Sequence, residues 1–213
     1  MDDCCDPRGY RATFGAGFAR RVAGRYRKRG LTRTQRRLVS FLEQREVRGA
    51  TVLEIGGGVG ELQVELLRRG ADRATNLELS TGYEDEAAEL LEQSGLTGRV
   101  ARRFVDIATV PDEVEPADIV VLHRVVCCYP DYQKLLTAAG GHARRLLVFS
   151  HPPRNPLITG GLWCDSLLRR LRGNSFRAFA HPPDAMIEVL RAQGLTVSYR
   201  HRGLAWTVVG LER

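Results

Sequence analysis

The stretch "VLEIGGGVGELQVELLRRG", Val52 to Gly70, limits what this chain can fold into more than any other: an apolar run meets four glycines within five residues. Glycine costs backbone entropy on folding, so such a cluster needs a structural reason. The residues before it, "TVLEI" (51–55), read as a short buried strand. Those after Gly60 have helical periodicity that Gly70 closes. A strand that enters a helix through bare backbone predicts a loop lying against a ligand.

The same alternation repeats down the chain. Strands are predicted at "ATNLELS" (74–80), "RVARRFVD" (99–106), "DIVVLH" (118–123) and "RLLVFS" (145–150), with helices over 83–95 and 131–143 between them. The 118–123 strand is apolar throughout and is predicted to be central. A helix over 183–194 begins at Pro183, and "LTVSYRH" and "LAWTVVGLE" form a closing antiparallel hairpin around Gly203. Strand–helix pairs of this length predict an α/β fold: a doubly wound, mostly parallel seven-stranded sheet with helices on both faces. Ligands in such sheets sit beyond the carboxyl ends of the strands, where the Gly56–Gly60 loop is expected.

Before this core, residues 11–29 carry Phe14, Phe18, Val22 and Tyr26 at a spacing of four, which predicts one amphipathic helix. Thr32 and Gln35 read as a capping box opening a second. The expected division is a basic helical arm or lid over 1–49 and a ligand-binding domain over 50–213, with a cap-like insertion at about 151–182. Within that insertion a helical piece is expected around 162–171, with Trp163 and Phe176 available as pocket walls.

Charge follows the same division. Residues 1–49 hold 13 Arg or Lys against 5 Asp or Glu, residues 50–150 hold 10 against 16, and residues 151–213 hold 9 against 4. An Arg-rich composition bias explains this blandly; an anionic partner facing arm and tail explains it functionally. The acidic, polar start "MDDCCDPRGY" does not resemble a signal peptide, and no window approaches the ~20 apolar residues of a membrane span. A cytoplasmic protein with five reduced cysteines is expected.

Three nucleotide ligands compete for the glycine loop. A phosphate-binding loop needs Lys-Ser/Thr after its last glycine, where this chain has Glu61. A dinucleotide loop wants a small residue at its sixth position, and that is again Glu61. What remains is Glu54-x-Gly56-x-Gly58-x-Gly60, with Glu78 ending the second strand and Asp106 the third.

This pattern resembles the first motif of the class I (Rossmann-like) S-adenosylmethionine (SAM)-dependent methyltransferases, of the small-molecule type. SAM carries an ammonium and a sulfonium but no phosphate, so acidic surroundings favour it. The resemblance implies a SAM-binding set of Glu54, Ile55, Gly56, Gly57, Gly58, Gly60, Glu78, Leu79, Asp106, Ile107 and His123. Within it, Glu78 would accept the ribose hydroxyls with Leu79 beside the adenine. Asp106 would meet the adenine amino group, with Ile107 packed on the ring. Helices preceding such a core also resemble the porphyrin-type O-methyltransferases.

Methyl transfer from a sulfonium is an in-line displacement that positioning accelerates, and a base is needed only where the acceptor must lose a proton. His123, Tyr129 and His151 are the catalytic candidates; His123 is equally explained as a hydrogen-bonded histidine at a strand end, while Tyr129 would line the mouth and His151 ends the next strand. His181 is a weaker candidate, and Asp131 either lines the mouth or caps the next helix. "HPPRN" (151–155) resembles the Pro-Pro signature of amino-group methyltransferases but follows the fifth strand and lacks the aromatic, so it reads as a rigid loop exit. No metal is expected: Cys4-Cys5, Cys127-Cys128 and Cys164 fit zinc spacing poorly. The expected acceptor is a small, anionic molecule methylated on O or N. An RNA methyltransferase using the basic arm, and a non-catalytic SAM-binding protein, are the alternatives; nucleic acid is the less favoured partner because the arm aromatics form one core-like stripe.

Overall fold

The structure, a computed structural model, describes residues 8–154, 156–171 and 173–213. Its sheet contains β1 (Thr51–Ile55), β2 (Arg73–Glu78), β3 (Val100–Phe104), β4 (Ala117–His123), β5 (Ala143–His151), β6 (Thr196–Arg202) and β7 (Thr207–Glu212), in the order β3-β2-β1-β4-β5-β7-β6. The first five strands pair in parallel, and β7 runs antiparallel to both β5 and β6. The doubly wound sheet with a closing hairpin is therefore as the sequence predicts.

Strand β4 shows why its residues are apolar without alternation. Ile119 and Val121 enter one core cluster while Val120 and Leu122 enter the other. Successive side chains of a strand point to opposite faces, so a strand covered on both sides has no polar face to show. The first cluster is completed by α2 (Ala16–Arg29), α3 (Arg33–Glu43), α4 (Glu61–Arg68) and α5 (Glu84–Gln93). The second is completed by α6 (Tyr132–His142) and α8 (Pro183–Ala192).

Two boundaries differ from expectation for visible reasons. The single helix predicted over 11–29 is broken into a short α1 (Tyr10–Thr13) and α2, because Gly15 takes an extended conformation between them. At that break the chain docks on the β2–α5 turn: the Ser80 hydroxyl donates to the Phe14 carbonyl at 2.9 Å, and a Cβ on Gly82 would lie 2.6 Å from the Gly15 Cα. Strand β3 stops before Asp106, whose carboxylate accepts the Ala108 N–H and whose carbonyl accepts those of Thr109 and Val110. This local turn competes with the ladder.

The second helix, α3, opens with the predicted capping box: Thr32 Oγ1 accepts the Gln35 N–H and the Gln35 side chain accepts the Thr32 N–H. Its Phe41 is 1% exposed and fills the notch left by Gly210, where a Cβ would sit 2.6 Å from Phe41 Cε2. In the insertion, α7 (Pro156–Leu171) is longer than the piece expected at 162–171. The Trp163 side chain and the Cys4-Cys5 pair lie outside the described residues. Among the described residues no helix is long and apolar enough to cross a membrane.

Candidate functional site

A cavity of about 730 Å³ opens at the carboxyl ends of β1, β2 and β4, floored by the glycine loop. Gly56 has φ +64 and donates to the Leu77 carbonyl at 2.7 Å; a Cβ there would strike Val125 Cγ2 at 2.6 Å. A Cβ on Gly57 would lie 2.7 Å from the Glu54 carboxyl carbon. Both positions keep the loop low enough for a ligand to rest on its backbone.

Three carboxylates surround this loop. Glu54 is 2% exposed, and its Oε2 has no hydrogen-bond partner. Burial, reinforced by the nearby Glu61, pushes its carboxyl well above the usual range. Glu78 is better satisfied: one oxygen accepts the Gly58 N–H at 2.9 Å and the other accepts the N–H groups of Leu79 and Ser80. Burial still raises its pKa. Asp106 accepts from the Tyr129 hydroxyl and from the guanidinium of Arg8, each at 2.9 Å. An unpaired buried carboxylate oxygen over a bare glycine loop is a site for a cationic ligand, and it opposes a phosphate.

Arg21, Arg25 and Arg124 also line the cavity, with His123 and Trp206, and Arg25 stands 3.7 Å from Glu61, a further lining carboxylate. Arg124 follows β4 with φ +61, a left-handed conformation uncommon for a residue with a Cβ. This twist lays its guanidinium over the Trp206 ring, 4.8 Å from the centroid. Burial, then the proximity of Arg25, lowers its pKa. The backbone N–H of Arg124 donates to Ser150 Oγ at 3.0 Å, and the same oxygen contacts His123 Nδ1 at 2.9 Å. His123 is held neutral: burial and the charges of Arg124 and Arg25 push its pKa down to about 3. One cavity thus brings carboxylates and arginines together.

The 27% identity shared with the magnesium-protoporphyrin O-methyltransferase of Rhodobacter capsulatus extends over 165 residues, 72% of this chain and 71% of that protein. Magnesium protoporphyrin IX methyltransferase of Synechocystis PCC 6803, solved with bound SAM, superposes with a TM-score of 0.68 at 18% identity, covering 100% of this chain and 98% of the other. A putative sarcosine dimethylglycine methyltransferase from Galdieria sulphuraria superposes with a TM-score of 0.67 at 15% identity, over 84% and 85%. No protein-family model matches the sequence. The chain has the class I methyltransferase fold.

In this methyltransferase fold the residues expected to bind SAM are largely gathered: Glu54, Ile55, Gly56, Gly57, Gly58, Glu78, Leu79, Asp106, Ile107 and His123 all line the cavity. Gly60 does not. It has φ +86 at the N-cap of α4, and a Cβ there would clash with the Gln63 side chain, so it shapes the helix start.

The catalytic candidates separate further. Tyr129 lines the cavity, but its hydroxyl is committed to Asp106 and burial raises its pKa, so it braces that carboxylate. His151 lies outside the lining: it is 3% exposed, its ring contacts the Pro152 carbonyl through Nδ1 at 2.8 Å, and Pro152 itself faces the cavity. His181 likewise contacts the Tyr129 carbonyl through Nε2, and Asp131 caps α6 by accepting the Lys134 N–H. Phe176 is a wall, packed edge-on against Phe14 at 5.1 Å. Among the described residues no group of three His, Cys, Asp or Glu is placed to hold a metal.

Sequence reasoning missed Arg8, Arg124, Ser150 and Trp206 as parts of the site. The signal for Arg124 was adjacency, since "LHR" puts it directly after the strand-end histidine. Nothing local marks Arg8 or Trp206, which arrive from distant segments of the chain.

Proposed function

We propose that this chain is a SAM-dependent methyltransferase acting on a small anionic molecule, and that the methylated atom is a carboxylate oxygen. The observation carrying this reading is that one cavity gathers the carboxylates of Glu54, Glu78 and Asp106 around the glycine loop and also presents Arg25 and Arg124. Glu54, Glu78 and Asp106, with Gly56–Gly58, would hold SAM, which supplies an electrophilic methyl group when bound. The unpartnered Oε2 of Glu54 fits a cationic donor.

The arginines set the acceptor. Arg124 and Arg25 would orient an anion toward the methyl donor, and Trp206 keeps the Arg124 guanidinium in place. His123, with its pKa near 3, is a poor proton acceptor at neutral pH. An acceptor that arrives already ionised needs no base, and a carboxylate meets that condition. Tyr10, Phe14, Phe18 and Phe176 wall the remaining space, so the acceptor's body is apolar. The same placement weakens the RNA alternative, because these arm aromatics face the cavity and one another.

Calorimetric titration with SAM, followed by a panel of carboxylate, neutral and amine acceptors scored by S-adenosylhomocysteine release, tests this. Magnesium protoporphyrin, the acceptor in the names of two relatives, is the first compound to try. Turnover confined to amines would remove the carboxylate reading. Failure to bind SAM would remove the methyltransferase reading itself.

A further inference from the structure

Cys127 and Cys128 have no part in the chemistry above, yet both line the cavity. Their sulfurs are 3.7 Å apart in the short turn that follows β4. Cys127 is 6% exposed and Cys128 is the more open of the two. A hydrogen bond from Cys128 holds the Cys127 thiol below its usual range.

The turn that carries them is also the anchor for both chain segments that wall the cavity. The Cys127 carbonyl accepts the Phe179 N–H at 2.7 Å, tying down the segment after α7. The Cys128 carbonyl accepts the Tyr10 hydroxyl at 2.8 Å, tying down the start of the arm. The Cys127 carbonyl belongs to the peptide joining the two cysteines, so that peptide cannot turn without disturbing the Phe179 anchor.

We propose that Cys127 and Cys128 form a vicinal dithiol that a small disulfide oxidises reversibly, loosening the wall segment after α7 and weakening ligand binding. The step is thiol–disulfide exchange. The Cys127 thiolate attacks one sulfur of the incoming disulfide, forming a mixed disulfide and expelling a first thiolate. Cys128 then attacks the Cys127 sulfur, forming the Cys127–Cys128 bond and expelling a second thiolate. The two cysteine protons end on the two expelled small thiols, so the dithiol is oxidised and the small disulfide reduced.

Geometry makes this bond a reversible one. Adjacent Cα atoms across a trans peptide are about 3.8 Å apart, whereas ordinary disulfides span about 4.4–6.8 Å. A strained disulfide is easily reduced, which suits a switch and not a staple. Closing the sulfurs to about 2.05 Å must also rotate the intervening peptide, and that displaces the Cys127 carbonyl that holds Phe179.

The test uses the full-length chain with Cys4, Cys5 and Cys164 changed to Ser, exposed to oxidised glutathione. The expected product has lost two hydrogens, carries no glutathione, and contains both cysteines in one linked peptide by mass spectrometry. Its SAM affinity falls several-fold and returns with dithiothreitol. In the same background Cys128→Ser should stop at a stable glutathione adduct on Cys127. A persistent adduct with both cysteines present, an unmodified pair, or a linked pair with unchanged affinity would each overturn the proposal. Formation of the bond is read without methyl transfer, so its failure is distinguishable from failure of the methyltransferase reading on which the affinity readout rests.

Discussion

The guanidinium of Arg8 donates to Asp106 Oδ2 at 2.9 Å while lying 4.6 Å from the centre of the Tyr129 ring. Tyr129 donates to the same carboxylate, and Ala108 occupies its other oxygen. Asp106 is thus engaged on both oxygens before any ligand arrives. If it meets the adenine amino group, Arg8 must yield. Arg8→Ala should therefore tighten SAM binding by about five-fold, the equivalent of roughly 1 kcal/mol. Asp106→Asn should loosen it. Calorimetry reads both, and weaker binding by Arg8→Ala would make Arg8 a cofactor-holding residue.

Glu54 gives a prediction about protons. Its folded pKa is raised, so the folded chain keeps a proton that the unfolded chain loses above about pH 4.5. Stability from this group falls as pH rises from there through the folded pKa. A cation bound beside Glu54 favours its ionised form, so SAM binding should release a proton. The binding enthalpy between pH 5 and 7 should then depend on the buffer's ionisation enthalpy, and Glu54→Gln should abolish that dependence.

His123 makes the opposite contribution. Its pKa falls to about 3 in the folded chain, against about 6.5 when exposed, so below pH 6.5 the unfolded chain binds a proton that the fold refuses. Stability therefore declines as pH drops from about 6.5 toward 3. His123→Asn should show a flatter decline in chemical denaturation over that interval. An identical pH profile for the two proteins would mean that His123 titrates normally.

Arg124 separates folding from recognition. Glycine accepts φ +61 without the cost that arginine bears, so Arg124→Gly should fold with stability within about 1 kcal/mol of the parent. The same change should lower kcat/KM for carboxylate acceptors by roughly 10–100-fold, the loss of one charged hydrogen bond. SAM affinity should be preserved. A loss shared equally by neutral acceptors would assign Arg124 a purely structural role.

The portion of the site built by contiguous residues was legible in the sequence. "EIGGGVG" announces its own geometry, because a strand, a glycine turn and a helix are local patterns, and Glu78 falls at the end of its strand because residue alternation fixes where a strand can run. Asp106 was found although its strand stops earlier, since the turn still delivers the carboxylate to the same crevice. The cationic contribution was not legible. Arg8 meets Asp106 across 98 residues of chain and Trp206 meets Arg124 across 82, and no periodicity encodes such meetings. His151 was placed at a strand end by a local pattern, whereas the direction in which its ring points depends on Pro152 and on the packing of Phe149.

The seating of Phe41 against Gly210 has a temporal consequence. Residue 41 cannot find its socket until the last strand exists, and Arg45 pairs with Glu212 at the same place. During synthesis α2 and α3 can pack on α5 and α4, but the Phe41 end of α3 must wait for β7. Long-range closure of this kind slows folding and exposes apolar surface meanwhile. Shortening the chain by its final strand would thus unseat its beginning.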